Sequence, residues 1–215
     1  ALVIAKIVWP ETEESKTKGS VQIEVKRTNA NIIDAAAHGA SDGLRIGLNV
    51  VAMLIAFIAL IALCDALVLT VGKQLYAWGM RLDGIGLDLQ NVKLKDLFGL
   101  VFSPIAWILG VPWADAHTVG RLMGEKLVIN EFVAYMDLSN LLKMPDMPRL
   151  TAQAETIATF ALCGFANFSS IAIQIGGIGE IAPTRRADLA RLGVKALICG
   201  TMASYLSAAL AGLLT

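Results

Sequence analysis

The stretch Gly164-Phe165-Ala166-Asn167-Phe168-Ser169-Ser170-Ile171 interrupts an apolar run that otherwise extends from Thr156 to Ala182. It sets two small residues, an amide and two hydroxyls where a membrane helix would carry only hydrocarbon. Lipid offers no water to free backbone groups, so a broken helix survives there only where the break lines a cavity or is buried in protein. Breaks of this kind are how many membrane carriers build a midplane ligand site. The interruption therefore predicts a discontinuous helix over 152–182 with a polar site at its centre.

Composition agrees with a membrane setting. Of 215 residues, 56% are hydrophobic and 17% charged, against roughly 25% charged in an ordinary soluble domain. Eighteen basic residues balance eighteen acidic ones, so no polycationic face points to nucleic acid. Ile46 to Leu63 carries a single polar side chain, Asn49, and no charge. That is long enough to approach the hydrocarbon thickness as a helix. The fold class is all-α: transmembrane helices with a re-entrant helical hairpin and a discontinuous helix. Cys64, Cys163 and Cys199 lie far apart in apolar segments, with no metal-ligand spacing, and read as small buried side chains.

Outward from the break, the chain divides by polarity. Residues 1–9 read as the end of a membrane helix whose beginning is absent. Residues 10–43 form an extramembrane loop, with a short alternating run at Val21–Val25, and then an interfacial helix capped by Asn31. The first full span is 44–71, with Asp65 turned towards protein because a carboxylate is costly in lipid. Residues 72–96 are a cytoplasmic loop or amphipathic segment with Tyr76 and Trp78 as interfacial anchors. A second span covers 97–113. Residues 114–142 are too short and too polar to cross alone, and fit a re-entrant hairpin. Lys143–Arg149 is a loop, and 192–214 is a final span. The loops at 72–96 and 184–195 each hold four Lys or Arg, which favours both inside and the C-terminus outside.

Three polar residues stand out within this frame. Glu131 lies in an apolar stretch and must be paired, protonated or holding a polar group; a structural ion pair with Lys126 or Arg121 is the plain alternative. Asn167 and Ser170 are three apart and share a face if the helix resumes there. An amide and a hydroxyl each donate and accept, so with a carboxylate they suit a polyol, although Asn and Ser also bond neighbouring membrane helices. Phe165 and Phe168 could stack on a ring or pack, and packing suits Phe168 better. Gly176-Gly177-Ile178-Gly179 follows no strand and reads as close helix packing rather than a phosphate loop. No serine or cysteine stands at a recognisable spacing from a base, so no enzyme is indicated. A hydrolase using Glu131 or Asp65 would need a second acid, metal or nucleophile nearby.

The sequence resembles the C-terminal half of the concentrative nucleoside transporter family over nearly its whole length. The resemblance is carried by Thr28-Asn29-Ala30-Asn31 with Asp34-Ala35-Ala36-Ala37, by Ile129-Asn130-Glu131-Phe132-Val133-Ala134-Tyr135, and by Gly164 to Ile171. Pro183-Thr184-Arg185-Arg186 and Leu189-Ala190-Arg191-Leu192-Gly193 complete it.

The resemblance implies a homotrimer in a cell membrane, with a bacterial inner membrane expected, whose mobile part carries a nucleoside such as uridine past a fixed scaffold. Movement is coupled to Na+ or H+, at an ion site outside these residues. It further implies that Glu131, Asn167 and Ser170 hold the ribose hydroxyls and that Phe165 lies against the base, with Phe57 and Ile58 near the base side. The first hairpin of such proteins, which reads the base, precedes the part matched here. A channel or structural subunit without concentrative transport is the rival reading.

Overall fold

The computed structural model describes residues 1–12, 14, 30–85, 87–143 and 150–215. The run at Val21–Val25, the Thr28-Asn29 pair and most of the loop before Leu150 fall outside them. Among the described residues the fold is helical, with eight α-helices, two short 3-10 turns and one isolated bridge between Leu82 and Leu87.

Helix α1 spans Leu2–Val8, and Trp9 at its end packs under the Lys195 ammonium, 3.7 Å from the ring centroid. Helix α2, Ile32–Ala77, is 46 residues long, or about 69 Å at 1.5 Å per residue. The interfacial helix expected before residue 43 and the span expected over 44–71 are thus one element. No glycine cap or proline separates them, and Gly39, Gly43 and Gly47 meet open space. Asn31 caps α2 as its position suggested, its side-chain oxygen accepting from Asp34 N at 2.8 Å.

The remaining helices are α3 (Leu94–Ile108), α4 (Trp113–Val128), α5 (Glu131–Lys143), α6 (Ala152–Leu162), α7 (Phe168–Ile181) and α8 (Arg186–Leu213). Asp65 is half-buried and its carboxylate accepts from Leu94 N at 2.8 Å. It therefore faces protein, fastening the start of α3 to α2. Helices α3 and α4 run antiparallel at very short range. A Cβ on Gly120 would fall 2.6 Å from Ser103 N, and one on Gly124 2.9 Å from Gly99 N. Helices α3 and α4 thus pack closely about the turn at 109–112, and residues 114–142 hold a second helical pair, α4 and α5, joined at 129–130. At 15 residues α3 is also shorter than the separate span expected over 97–113, reaching about 22 Å.

That shift changes the order of crossings. Asn49 Nδ2 donates to Glu180 Oε2 at 2.9 Å, and a Cβ on Gly176 would lie 3.4 Å from the Asn49 backbone. The end of α7 thus sits beside Asn49, while the end of α2 is some 42 Å further along that helix. The basic loop at 184–195 thus begins about 42 Å along α2 from the loop at 72–96, which argues against the expectation that they share one side. Asn49 is partnered, and the Gly176 contact confirms close packing at the Gly-rich run.

A buried core of Ala106, Val119, Met123, Ile157, Ala158 and Ala161 joins α3, α4 and α6. Phe168 packs against Phe98 with centroids 6.2 Å apart. Cys163 is exposed, and Cys64 and Cys199 are only partly covered, so the expectation of three buried thiols is not met.

Candidate functional site

Helix α6 stops at Leu162 and α7 begins at Phe168, leaving 163–167 unwound. Every freed polar group in such a segment needs a partner. Alternate carbonyls find theirs in four different helices. Tyr135 Oη on α5 donates to Thr159 O at 2.7 Å, and Lys126 Nζ on α4 to Ala161 O at 3.0 Å. Ser204 Oγ on α8 donates to Cys163 O at 3.3 Å, and Ser170 Oγ on α7 to Phe165 O. The break is a supported structure held from three sides.

On the far side of the break Asn167 caps α7. Its Oδ1 accepts from Ser170 N at 2.7 Å and lies 2.9 Å from Ser170 Oγ, while its Nδ2 donates to Glu131 Oε2 at 2.9 Å. Asn167 is 3% exposed, so both ends of its amide are fixed. Glu131 is the first residue of α5, whose N-terminus is capped by Asn130, with Oδ1 accepting from Val133 N at 2.9 Å. Two helix N-termini, each carrying a partial positive charge, thus meet around one carboxylate. This explains how Glu131 is accommodated without an ion pair. No cation lies within 4.0 Å of it among the described residues, which removes the alternative of pairing with Lys126 or Arg121.

The structure brings Glu131, Asn167 and Ser170 into one hydrogen-bonded group. Glu131 Oε1 makes no hydrogen bond among the described residues. The Ser170 hydroxyl has one hydrogen between two acceptors, so its lone pairs can accept. A group of this kind can take hydroxyl protons and return one. Beside it a cavity of about 430 Å³ opens between α7 and α8, walled by Phe165, Asn167, Ser170, Gln174, Leu189 and Ser204 among others. Phe165 is 79% exposed at this wall. Glu131 bonds Asn167 without lining the cavity, and neither Phe57 nor Ile58 of α2 lines it.

Lys126, Tyr135 and Ser204 were not identified from the sequence as parts of the site. Lys126 offered a signal, a lone cation at the end of an apolar helix face. Ser204 offered none, being one hydroxyl among several in α8.

Comparison with known proteins places these observations in a family. Residues 1–212 match the family described as the Na+ dependent nucleoside transporter C-terminus. The chain is 47% identical to the uncharacterized transporter YutK of Bacillus subtilis over 213 residues, covering 99% of this chain and 48% of YutK. It is 41% identical to the nucleoside permease NupC of Helicobacter pylori over 214 residues, 99% of this chain and 47% of that protein. A solved structure of a CNTnw variant in an intermediate state superposes with a TM-score of 0.79 at 41% identity, covering 99% of this chain and 48% of that one. The chain therefore spans about half the length of the relatives it matches.

Proposed function

We propose that this chain, which belongs to the family of Na+ dependent nucleoside transporters and matches their C-terminal part, supplies the sugar-holding side of a cation-coupled nucleoside importer. The family is one of transporters, not enzymes, and its members lie in membranes. Two of the helices here, α2 and the segment Pro183–Leu213 that contains α8, are long and apolar enough to cross one.

The observation that carries the reading is the Glu131–Asn167–Ser170 group at the broken helix. A ribose offers two neighbouring hydroxyls, each a donor and an acceptor. Glu131 Oε1 would accept from one, and Asn167 and Ser170 would complete the pair. Phe165, exposed at the cavity wall, would lie against the base. The pyrimidine nucleoside uridine is the substrate to test first.

Helices α4 and α5 would enter and leave on one side as a re-entrant pair over 114–142, since each is shorter than the roughly 30 Å hydrocarbon core. Sodium is the expected coupling ion, bound by residues outside this chain's 215. A homotrimer in a bacterial inner membrane is the expected assembly.

Equilibrium binding of uridine to the full-length transporter tests the site. One buried hydrogen-bonding group left unpaired costs roughly 1–3 kcal/mol. Asn167→Ala should therefore weaken uridine at least about tenfold. Unchanged affinity would remove Asn167 from the site and with it the reading of the break as the sugar clamp.

A further inference from the structure

Among the four side chains that satisfy the carbonyls of the break, one is a cation. Lys126 is 1% exposed. Its ammonium makes one hydrogen bond among the described residues, to Ala161 O at 3.0 Å, and has no carboxylate within 4.0 Å. The Tyr205 ring centroid is 5.9 Å away. A Cβ on residue 164 would lie 3.8 Å from the ammonium, so the unwound segment passes directly beside it.

A buried charge without an ion pair must be balanced by dipoles. Here the balancing charge is the carbonyl end of α6, which carries about half a negative charge, supplemented by the face of Tyr205. Glu131, five residues on and across the unwound segment, adds a more distant negative charge. In broken transporter helices, the C-terminal carbonyls of a half-helix are a usual place for a coupling cation. In this break the carbonyls at 159, 161, 163 and 165 are already engaged by the protein's own donors.

We propose that Lys126 is the resident cation of this break: its ammonium, held on Ala161 O, takes the place a coupling ion would otherwise occupy and fixes the carbonyl end against which Asn167 and Glu131 are set. Lys126 is then a positioning residue for the sugar clamp, acting through the geometry of the break. The coupling ion then has no seat on the carbonyl end of this break. The role in substrate affinity rests on the function proposed above; the role in holding the break does not.

Chemical rescue separates the two. Full-length wild type, Lys126→Ala and Lys126→Met are compared in choline chloride, with and without propylammonium chloride, which replaces the deleted atoms beyond Cβ. Thermal melting and uridine affinity are both read. Lys126→Met fills the volume without charge and should lose uridine affinity by at least about tenfold, with no response to propylammonium. Lys126→Ala should melt lower than wild type and regain several degrees and its affinity when propylammonium is added. Wild type should respond to neither. A Lys126→Met protein that binds uridine like wild type, or a propylammonium effect equal in all three, would overturn the proposal. A wild type that binds no uridine would contradict the function proposed for the site, leaving the melting rescue to decide the role of Lys126.

Discussion

Gly164 shows how narrowly the break is built. A Cβ there would fall 2.5 Å from Ser204 Oγ, the atom that satisfies Cys163 O. Gly164→Ala must push Ser204 aside, and inserting a group into packed space of this kind costs typically 1–3 kcal/mol. In a Ser204→Ala background the obstructing oxygen is gone, so the same substitution should cost clearly less, leaving only the strain of a side chain at a φ of 158°. Melting temperatures of the two singles and the double test this by their non-additivity; equal losses in both backgrounds would show that the hydroxyl is not the obstacle. At this scale the sequence was informative wherever a residue conflicted with its surroundings. Glu131, Asn167 and Ser170 stand out as polar groups in apolar runs, and the structure joins them. Lys126 stands out as well, but the sequence offered it only as an alternative partner of Glu131, because no sequence rule shows that a helix end can balance an ammonium. Ser204 conflicts with nothing and was invisible.

Among the elements, the α3–α4 pair carries the clearest consequence. Gly99, Gly120 and Gly124 let the two backbones touch, which in lipid takes the place of a hydrophobic driving force. Gly124→Leu would place a side chain against Lys95 O and Gly99 N, both within 2.9 Å of its Cβ. It should lower stability by about 3 kcal/mol or more, since backbone cannot yield as a flexible side chain does. Gly177→Ala on α7 meets nothing within 4 Å and should be neutral or stabilising by up to about 1 kcal/mol. Thermal unfolding followed by loss of monodisperse protein separates the two; comparable losses would contradict the packing account. Element existence was largely legible because apolar runs and helix-breaking residues are local. The part played by α3 was not. Residues 97–113 are apolar enough to read as a span, and only the glycine contacts with α4 show them to be one arm of a pair. With α3 no longer a separate crossing, the basic loop at 184–195 begins far along α2 from the loop at 72–96.

For the whole molecule, the long exposed face of α2 and the position of the site have one explanation. Val51, Ile55, Ile58, Leu63 and Leu67 are each more than half exposed along a helix that packs chiefly on α7. These side chains require lipid or further protein around them. The polar group at the break is likewise one-sided, with Phe165 exposed at the cavity wall beside it. Family membership was legible from the ordered motifs, because their combination covers the chain. What lies against the open face was not legible, since an apolar face reads the same whether lipid or protein covers it. The central claim is that this fold serves gradient-driven nucleoside movement. The most direct test is uridine uptake into proteoliposomes by the full-length protein, with and without an inward sodium gradient. The account predicts accumulation above equilibrium that collapses when the gradient is dissipated and fails with Asn167→Ala. Uptake that merely equilibrates whether or not the gradient is present, or no uptake at all, would contradict it.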